Sequence, residues 1–177
     1  MQIVVTGGAA SGKSAHAERI LCKYSQKNSR LYVATMQPFG KSAKARILRH
    51  HALRAGKGFE TAERYTNLSR YHAARQYEGI LLECMSNLLA NELFSPDGAG
   101  EQAVAEIMEG VNTLKAQCNT LVIVTNEIFS DGDIYSPETM QYMRMLGDLN
   151  QALFASSDAA AESVCGILIP HKGKHLL

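Results

Sequence analysis

The fold class this sequence predicts is a single α/β domain, a parallel sheet flanked by helices, and three observations predict it. Five short runs are apolar without alternation: Gln2–Thr6, Leu31–Thr35, Gly79–Glu83, Leu121–Thr125 and Val164–Ile169. Strands of a parallel sheet are covered on both faces and read in this way. Helical patterns lie between the runs. The third observation is a glycine-rich turn between the first run and the first helical segment, Ser14–Leu21.

Taken in order, each element has a local reason. Ala103, Val104, Ile107, Met108, Val111 and Leu114 fall at spacings of three and four, one apolar stripe on one helix face. Tyr142, Leu146, Leu149 and Leu153 form a second stripe. Ser136 suits the N-cap of that helix and Pro137 its first position, where a missing N–H costs nothing. Strands alternating with helices imply right-handed crossovers in a parallel sheet. Ser95-Pro96-Asp97-Gly98 reads as a turn between helices, too short to divide domains.

Composition bounds the function. The chain has 177 residues, enough for one core, with 46% apolar and 20% charged residues. A formal charge of +1 supplies no global field toward nucleic acid or a membrane surface, so neither partner is expected. Cys22, Cys84, Cys118 and Cys165 are scattered with no C-x-x-C pair and read as reduced thiols, not a disulfide frame or zinc site. No apolar stretch approaches the roughly 18 residues of a membrane helix. The chain opens almost directly into the first run without a basic leader, so a cytoplasmic location is expected.

The turn carries chemistry. Gly7-Gly8-Ala9-Ala10-Ser11-Gly12-Lys13-Ser14 satisfies G-x-x-x-x-G-K-[ST], between an apolar strand and a helix as the motif requires. Glycines let the loop turn its N–H groups inward around phosphates, and the following helix presents its positive end to them. Lys13 would reach the terminal phosphates and the Ser14 hydroxyl would hold Mg²⁺. This is the P-loop NTPase-like class, and a nucleoside triphosphate is its ligand. Such a loop also needs an acid near the metal at the end of a neighbouring strand. Glu83 ends one apolar run and Glu127 follows another, so both are candidates.

The run Lys41–Lys57 contains Lys41, Lys44, Arg46, Arg49, Arg54 and Lys57 and no acid. Such a run is usually a solvated face. Here Arg46, His50 and Arg54 are four apart and stack along one helix face. The arginines would hold phosphate oxygens and discourage protonation of His50, whose neutral imidazole would be a competent nucleophile. His51 points about a quarter-turn away and reads as a packing residue at the helix edge.

Together these segments resemble the bifunctional adenosylcobinamide kinase / adenosylcobinamide-phosphate guanylyltransferase family of cobalamin assembly. TGGAASGKSAHAE at the start is close to the family's T-G-G-x-x-S-G-K-S-x-x-A-E. VATMQ follows, then Arg46-Ile47-Leu48-Arg49-His50 with Arg54, Thr61–Glu63, Leu81–Phe94, Val124–Glu127 and Leu146–Leu153, in order and with few gaps. The resemblance implies phosphorylation of the aminopropanol hydroxyl of adenosylcobinamide by GTP or ATP. It then implies attack on GTP by a histidine, release of pyrophosphate, and transfer of GMP to the new phosphate to give adenosyl-GDP-cobinamide. By position that histidine is His50. Glu63 and Glu83 match acids around the nucleotide, and Ala34, Thr35, Met36 and His51, Ala52, Leu53, Arg54 match segments lining it. Metal ligation falls to Ser14 and Glu83, and a homotrimer is the implied assembly.

The chain departs from the family pattern in two places. Phe129-Ser130-Asp131-Gly132-Asp133 replaces the usual G-x-G-I-V-P, and CGILIPHKG differs from the usual ending. The adjacent His50-His51 pair leaves the nucleophile open by one residue. Two other functions fit the residues without the resemblance. One is a P-loop kinase of another small metabolite with no covalent intermediate. The other is a nucleotide-dependent switch or interaction protein.

Overall fold

The first four apolar runs become strands at the expected places in the computed structural model, which describes residues 1–130 and 132–177 and omits the side chains of Lys41 and Ser42. Asp131 and the Lys41 side chain therefore lie outside the described residues. The strands are β1 (Gln2–Gly7), β2 (Arg30–Ala34), β3 (Phe59–Glu63), β4 (Tyr77–Glu83), β5 (Cys118–Val124), β6 (Ala159–Val164) and β7 (Ile167–Lys172). They form one sheet in the order β3-β2-β4-β5-β1-β6-β7, parallel except for β7 against β6.

Alternate residues of each strand enter opposite cores. Val4, Val33, Leu82 and Ile123 pack on one face beneath α3 (Met85–Phe94), α4 (Ala103–Lys115) and α5 (Pro137–Ser156). Ile3, Val5, Leu81, Val122 and Val124 pack on the other with Ala17, Ile20 and Leu21 of α1 (Lys13–Lys23). The two predicted stripes are the buried faces of α4 and α5: Ile107, Val111, Leu114, Leu146, Leu149 and Leu153 are at most 1% exposed. Ser136 caps α5 as expected, its Oγ accepting the Thr139 N–H at 3.3 Å, with Pro137 next.

The basic helix is α2 (Gly40–Arg54), shorter at its end than the charged run. Gly56 and Gly58 follow in left-handed conformation and stop it. α2 contributes no side chain to either apolar core and overhangs the sheet edge, with Arg54 its buried residue among those described. Its far end is tied down by Lys57, whose Nζ lies 2.5 Å from Oε2 of the buried Glu18 on α1.

The fifth expected strand is corrected. Val164–Ile169 is not one strand: Cys165 (φ 50°) and Gly166 (φ 82°) form a tight turn, and Val164 faces Ile167 across an antiparallel hairpin. The parallel strand beside β1 is instead Ala159–Val164, whose three alanines carry helix propensity but pair with β1. β3 is an edge strand with three exposed residues in FETAE, and its polar composition hid it.

Candidate active site

All parallel strands end on one edge, so the P-loop after β1, Thr35 after β2, Glu83 at the end of β4 and Asn126 after β5 gather there. The P-loop is held from behind. Gly7 has φ 152°, and a Cβ on it would lie 2.5 Å from the Ser163 carbonyl oxygen, so no larger residue fits. Ser163 Oγ donates to the Ser11 carbonyl at 2.7 Å, and the Gly166 N–H donates to the same oxygen at 2.9 Å. The β6–β7 hairpin thus braces the loop, a role invisible in the sequence. Gly12, at φ 96°, caps α1, while Ala9 and Ala10 lie exposed at the loop crest and Gly8 beside them is half-buried.

Lys13 Nζ donates to the Gly8 carbonyl at 2.9 Å, curled over the loop. Burial pushes its amine below the ordinary lysine range; the nearby Cys84 and Glu83 oppose that, and Arg46 adds to it. Arg46 therefore lies within electrostatic reach of the loop.

Glu83 is the hub. It is 6% exposed. Ser14 Oγ donates to its Oε1 at 2.5 Å, and the buried Tyr32 hydroxyl donates to its Oε2 at 2.8 Å. The same Oε2 stands 3.5 Å from Nδ1 of His50, which is 16% exposed. This neighbour of His50 was not legible in the sequence: α2 lays the imidazole over the end of β4, against the Glu83 carboxyl. Arg54 continues the row. It is 6% exposed, its guanidinium lies 3.3 Å over the Tyr32 ring, and its Nη1 is buried without a hydrogen-bond partner. A buried guanidinium hydrogen left unmade is costly unless a ligand satisfies it.

A cleft of about 30 Å³ lies under α2, lined by Ala34, Thr35, Met36, His50, His51, Arg54, Glu63 and Glu83, with Tyr32, Ile47, Thr61 and Cys84. A second, more open basin of about 390 Å³ shares His51, Arg54 and Thr61 with it and adds Lys27, Gly58 and Phe59. That size is the scale of small-molecule sites. His51 is a correction to the packing role expected from spacing: it is exposed and borders both cavities, as the segment match implied. Ala52 and Leu53 are exposed and line neither. Glu63 is exposed at the rim, its Oε2 accepting from the Tyr65 hydroxyl at 2.7 Å.

Glu127, the rival acid, is turned into its own loop, accepting from the Phe129 N–H and the Ser130 hydroxyl, each at 2.8 Å. Thr35 fixes the end of β4: its Oγ1 accepts from the Cys84 N–H at 2.7 Å and donates to the Glu83 and Cys84 carbonyls. Sequence reasoning missed Tyr32. Inside the apolar run LYVAT it passes as a core residue, and only the strand pairing Ala34↔Glu83 brings its hydroxyl to a carboxylate.

This fold and loop define a P-loop nucleotide-binding α/β protein. Solved structures share the fold. The flagellar accessory protein FlaH from Methanocaldococcus jannaschii has a TM-score of 0.50 at 12% identity, covering 97% of this chain and 77% of that one. A prototypical ATPase from the type III secretion system of pathogenic bacteria has a TM-score of 0.57 at 10% identity, covering 99% and 58%. The sequence goes further. Residues 3–170 match the family model of cobinamide kinase / cobinamide phosphate guanyltransferase, and the chain belongs to that enzyme family. Relatives include the bifunctional adenosylcobalamin biosynthesis protein CobU of Escherichia coli (strain K12) and that of Salmonella typhimurium. Each is 34% identical over 94% of this chain and 97% of the relative. The bifunctional adenosylcobalamin biosynthesis protein CobP of Pseudomonas aeruginosa is 27% identical over 99% and 100%.

Proposed function

We propose that this protein phosphorylates adenosylcobinamide with a nucleoside triphosphate and then transfers GMP from GTP, through a guanylyl-histidine at His50, to the phosphate it has made. Family membership supports the two activities. The observation that supports one site for both is that a single carboxylate, Glu83, touches the P-loop serine with one oxygen and His50 with the other.

For phosphoryl transfer, the loop N–H groups and Lys13 hold the β- and γ-phosphates and offset the charge that develops on them. Ser14 Oγ and Glu83 Oε1 are hard oxygen donors side by side, which suits Mg²⁺ shared with phosphates. Among the described residues no cluster of three or more His, Cys, Asp or Glu could cage a metal alone. Bound there, Mg²⁺ would supply charge neutralisation at the phosphates. For guanylyl transfer, His50 attacks the α-phosphorus and splits one difficult displacement into two. Arg54 supplies the unsatisfied donor for the phosphate oxygens, and the larger basin takes the nucleoside. Among the described residues no helix is long and apolar enough to cross a membrane, and the reading places the enzyme in the cytoplasm. The family resemblance carries assembly as a homotrimer whose neighbouring subunit completes the corrinoid site, and Phe39, Leu48 and Phe94, each more than 60% exposed, are apolar surface available to such a contact.

The test is incubation with α-labelled GTP and Mg²⁺ followed by denaturation. Label retained on the protein, released by mild acid and stable to base, is the expected result. His50→Ala removes the label and the GDP-linked product while leaving kinase activity within about tenfold, roughly 1.4 kcal/mol in barrier terms. His51→Ala has the lesser effect. Wild-type protein that never acquires label sinks the guanylyl-histidine step and leaves a kinase.

A further inference from the structure

Three side chains compete for Glu83, and the way they divide it says which imidazole nitrogen reacts. Ser14 takes Oε1 at 2.5 Å. Tyr32 donates to Oε2 at 2.8 Å, and His50 Nδ1 faces that same Oε2 at 3.5 Å, buried and without a hydrogen bond. A free carboxylate could swing both oxygens toward the P-loop. The Tyr32 hydroxyl prevents this, and Tyr32 is itself fixed, 5% exposed within β2 and stacked under Arg54.

We infer that Tyr32 is a positioning residue that reserves Glu83 Oε2 for His50 Nδ1, so that the guanylyl group is carried on Nε2. The inference rests on the guanylyl-histidine reading. Neutral His50 keeps its proton on Nδ1, directed at Oε2. The Nε2 lone pair attacks the α-phosphorus, an Nε2–P bond forms, and the bond from that phosphorus to the bridging oxygen breaks. Pyrophosphate leaves with the electron pair. The positive charge gained by the ring is met at Nδ1–H by the carboxylate, the arrangement that orients imidazoles in other acid–base and nucleophilic sites. The 3.5 Å contact is long for such a bond, but catalytic hydrogen bonds commonly tighten only when substrate is bound. The kinase step, which sends the γ-phosphate directly to a hydroxyl, forms no bond to the imidazole, so it does not depend on which ring nitrogen faces Glu83.

Tyr32→Phe keeps the ring beneath Arg54 and removes only the hydroxyl. In this variant, labelling from α-labelled GTP should slow by about tenfold or more, the usual range for losing an orienting partner, and by several-fold more than kinase turnover in the same preparation, while a cooperative thermal unfolding curve shows that the variant folds. Independently, ³¹P and ¹⁵N NMR of the denatured wild-type adduct should place the phosphorus on Nε2. Labelling at the wild-type rate in Tyr32→Phe overturns the inference, as do equal losses in both activities or an adduct on Nδ1. Each of these leaves the guanylyl-histidine standing. Absence of any adduct on wild-type protein removes both.

Discussion

Lys13 and Glu83 both border the P-loop, and each makes a prediction. Burial lowers the Lys13 pKa in the empty protein, Cys84 and Glu83 raise it, and Arg46 lowers it further. A depressed lysine releases its proton below 10.5, so the free enzyme loses its phosphate-binding cation before an ordinary lysine would. The alkaline limb of kcat/KM for the triphosphate, which reports free-enzyme groups, should therefore fall below that value. Arg46→Ala removes one lowering cause and should move the limb upward; a limb that stays put means that another group controls it. Lys13→Ala should weaken triphosphate binding and depress kinase turnover strongly, as calorimetry and a phosphoryl-transfer assay would show. Glu83→Gln keeps the size and most hydrogen bonds but removes the charge. The Mg²⁺ concentration for half-maximal activity should rise, and an unmoved Mg²⁺ curve would return Glu127 to consideration.

Among elements, the β6–β7 hairpin and α2 do different work. The hairpin fixes the P-loop through Ser163 and Gly166 on the Ser11 carbonyl, so damage behind the loop should reach the nucleotide. Gly7→Ala drives a Cβ to 2.5 Å from the Ser163 carbonyl at a φ of 152°. Strain on the order of 1–3 kcal/mol should appear in chemical denaturation together with weakened GTP binding. Unchanged affinity would mean that the loop and hairpin move independently. The α5 cap is a contrast, a local contact between Ser136 and Thr139. Ser136→Ala should cost about 1 kcal/mol of stability and leave nucleotide affinity alone. α2 is held at its end by Arg54 on Tyr32 and Lys57 on Glu18, with little apolar burial between.

Over the whole molecule, the two cores lie on either side of the sheet, while the candidate site gathers at its carboxyl edge under a helix that belongs to neither core, with Tyr32 shared between the site and one core. Leu149 is fully buried on α5. Leu149→Ala should therefore lower stability by about 2–5 kcal/mol yet leave GTP affinity unchanged at temperatures where the protein stays folded. An affinity loss of comparable size would show that the core transmits strain to the P-loop.

What the sequence determined by itself was whatever local pattern specifies. Gly7 through Ser14 between a strand and a helix announced a phosphate loop, because its spelling follows from backbone angles. The stripes on α4 and α5 and the Ser136 cap were equally local, as was the four-residue spacing of Arg46, His50 and Arg54. The tertiary structure decided what depends on partners. Ala159–Ala161 form a strand because β1 and β7 supply the ladder on either side. VCGILI breaks into a hairpin because two residues take positive φ at its turn. The tertiary fold also turned His51 outward and set a carboxylate against His50. Tyr32 joined the site because β2 pairs with β4 and so delivers its hydroxyl to Glu83. Contacts between residues some fifty positions apart leave no periodicity to read.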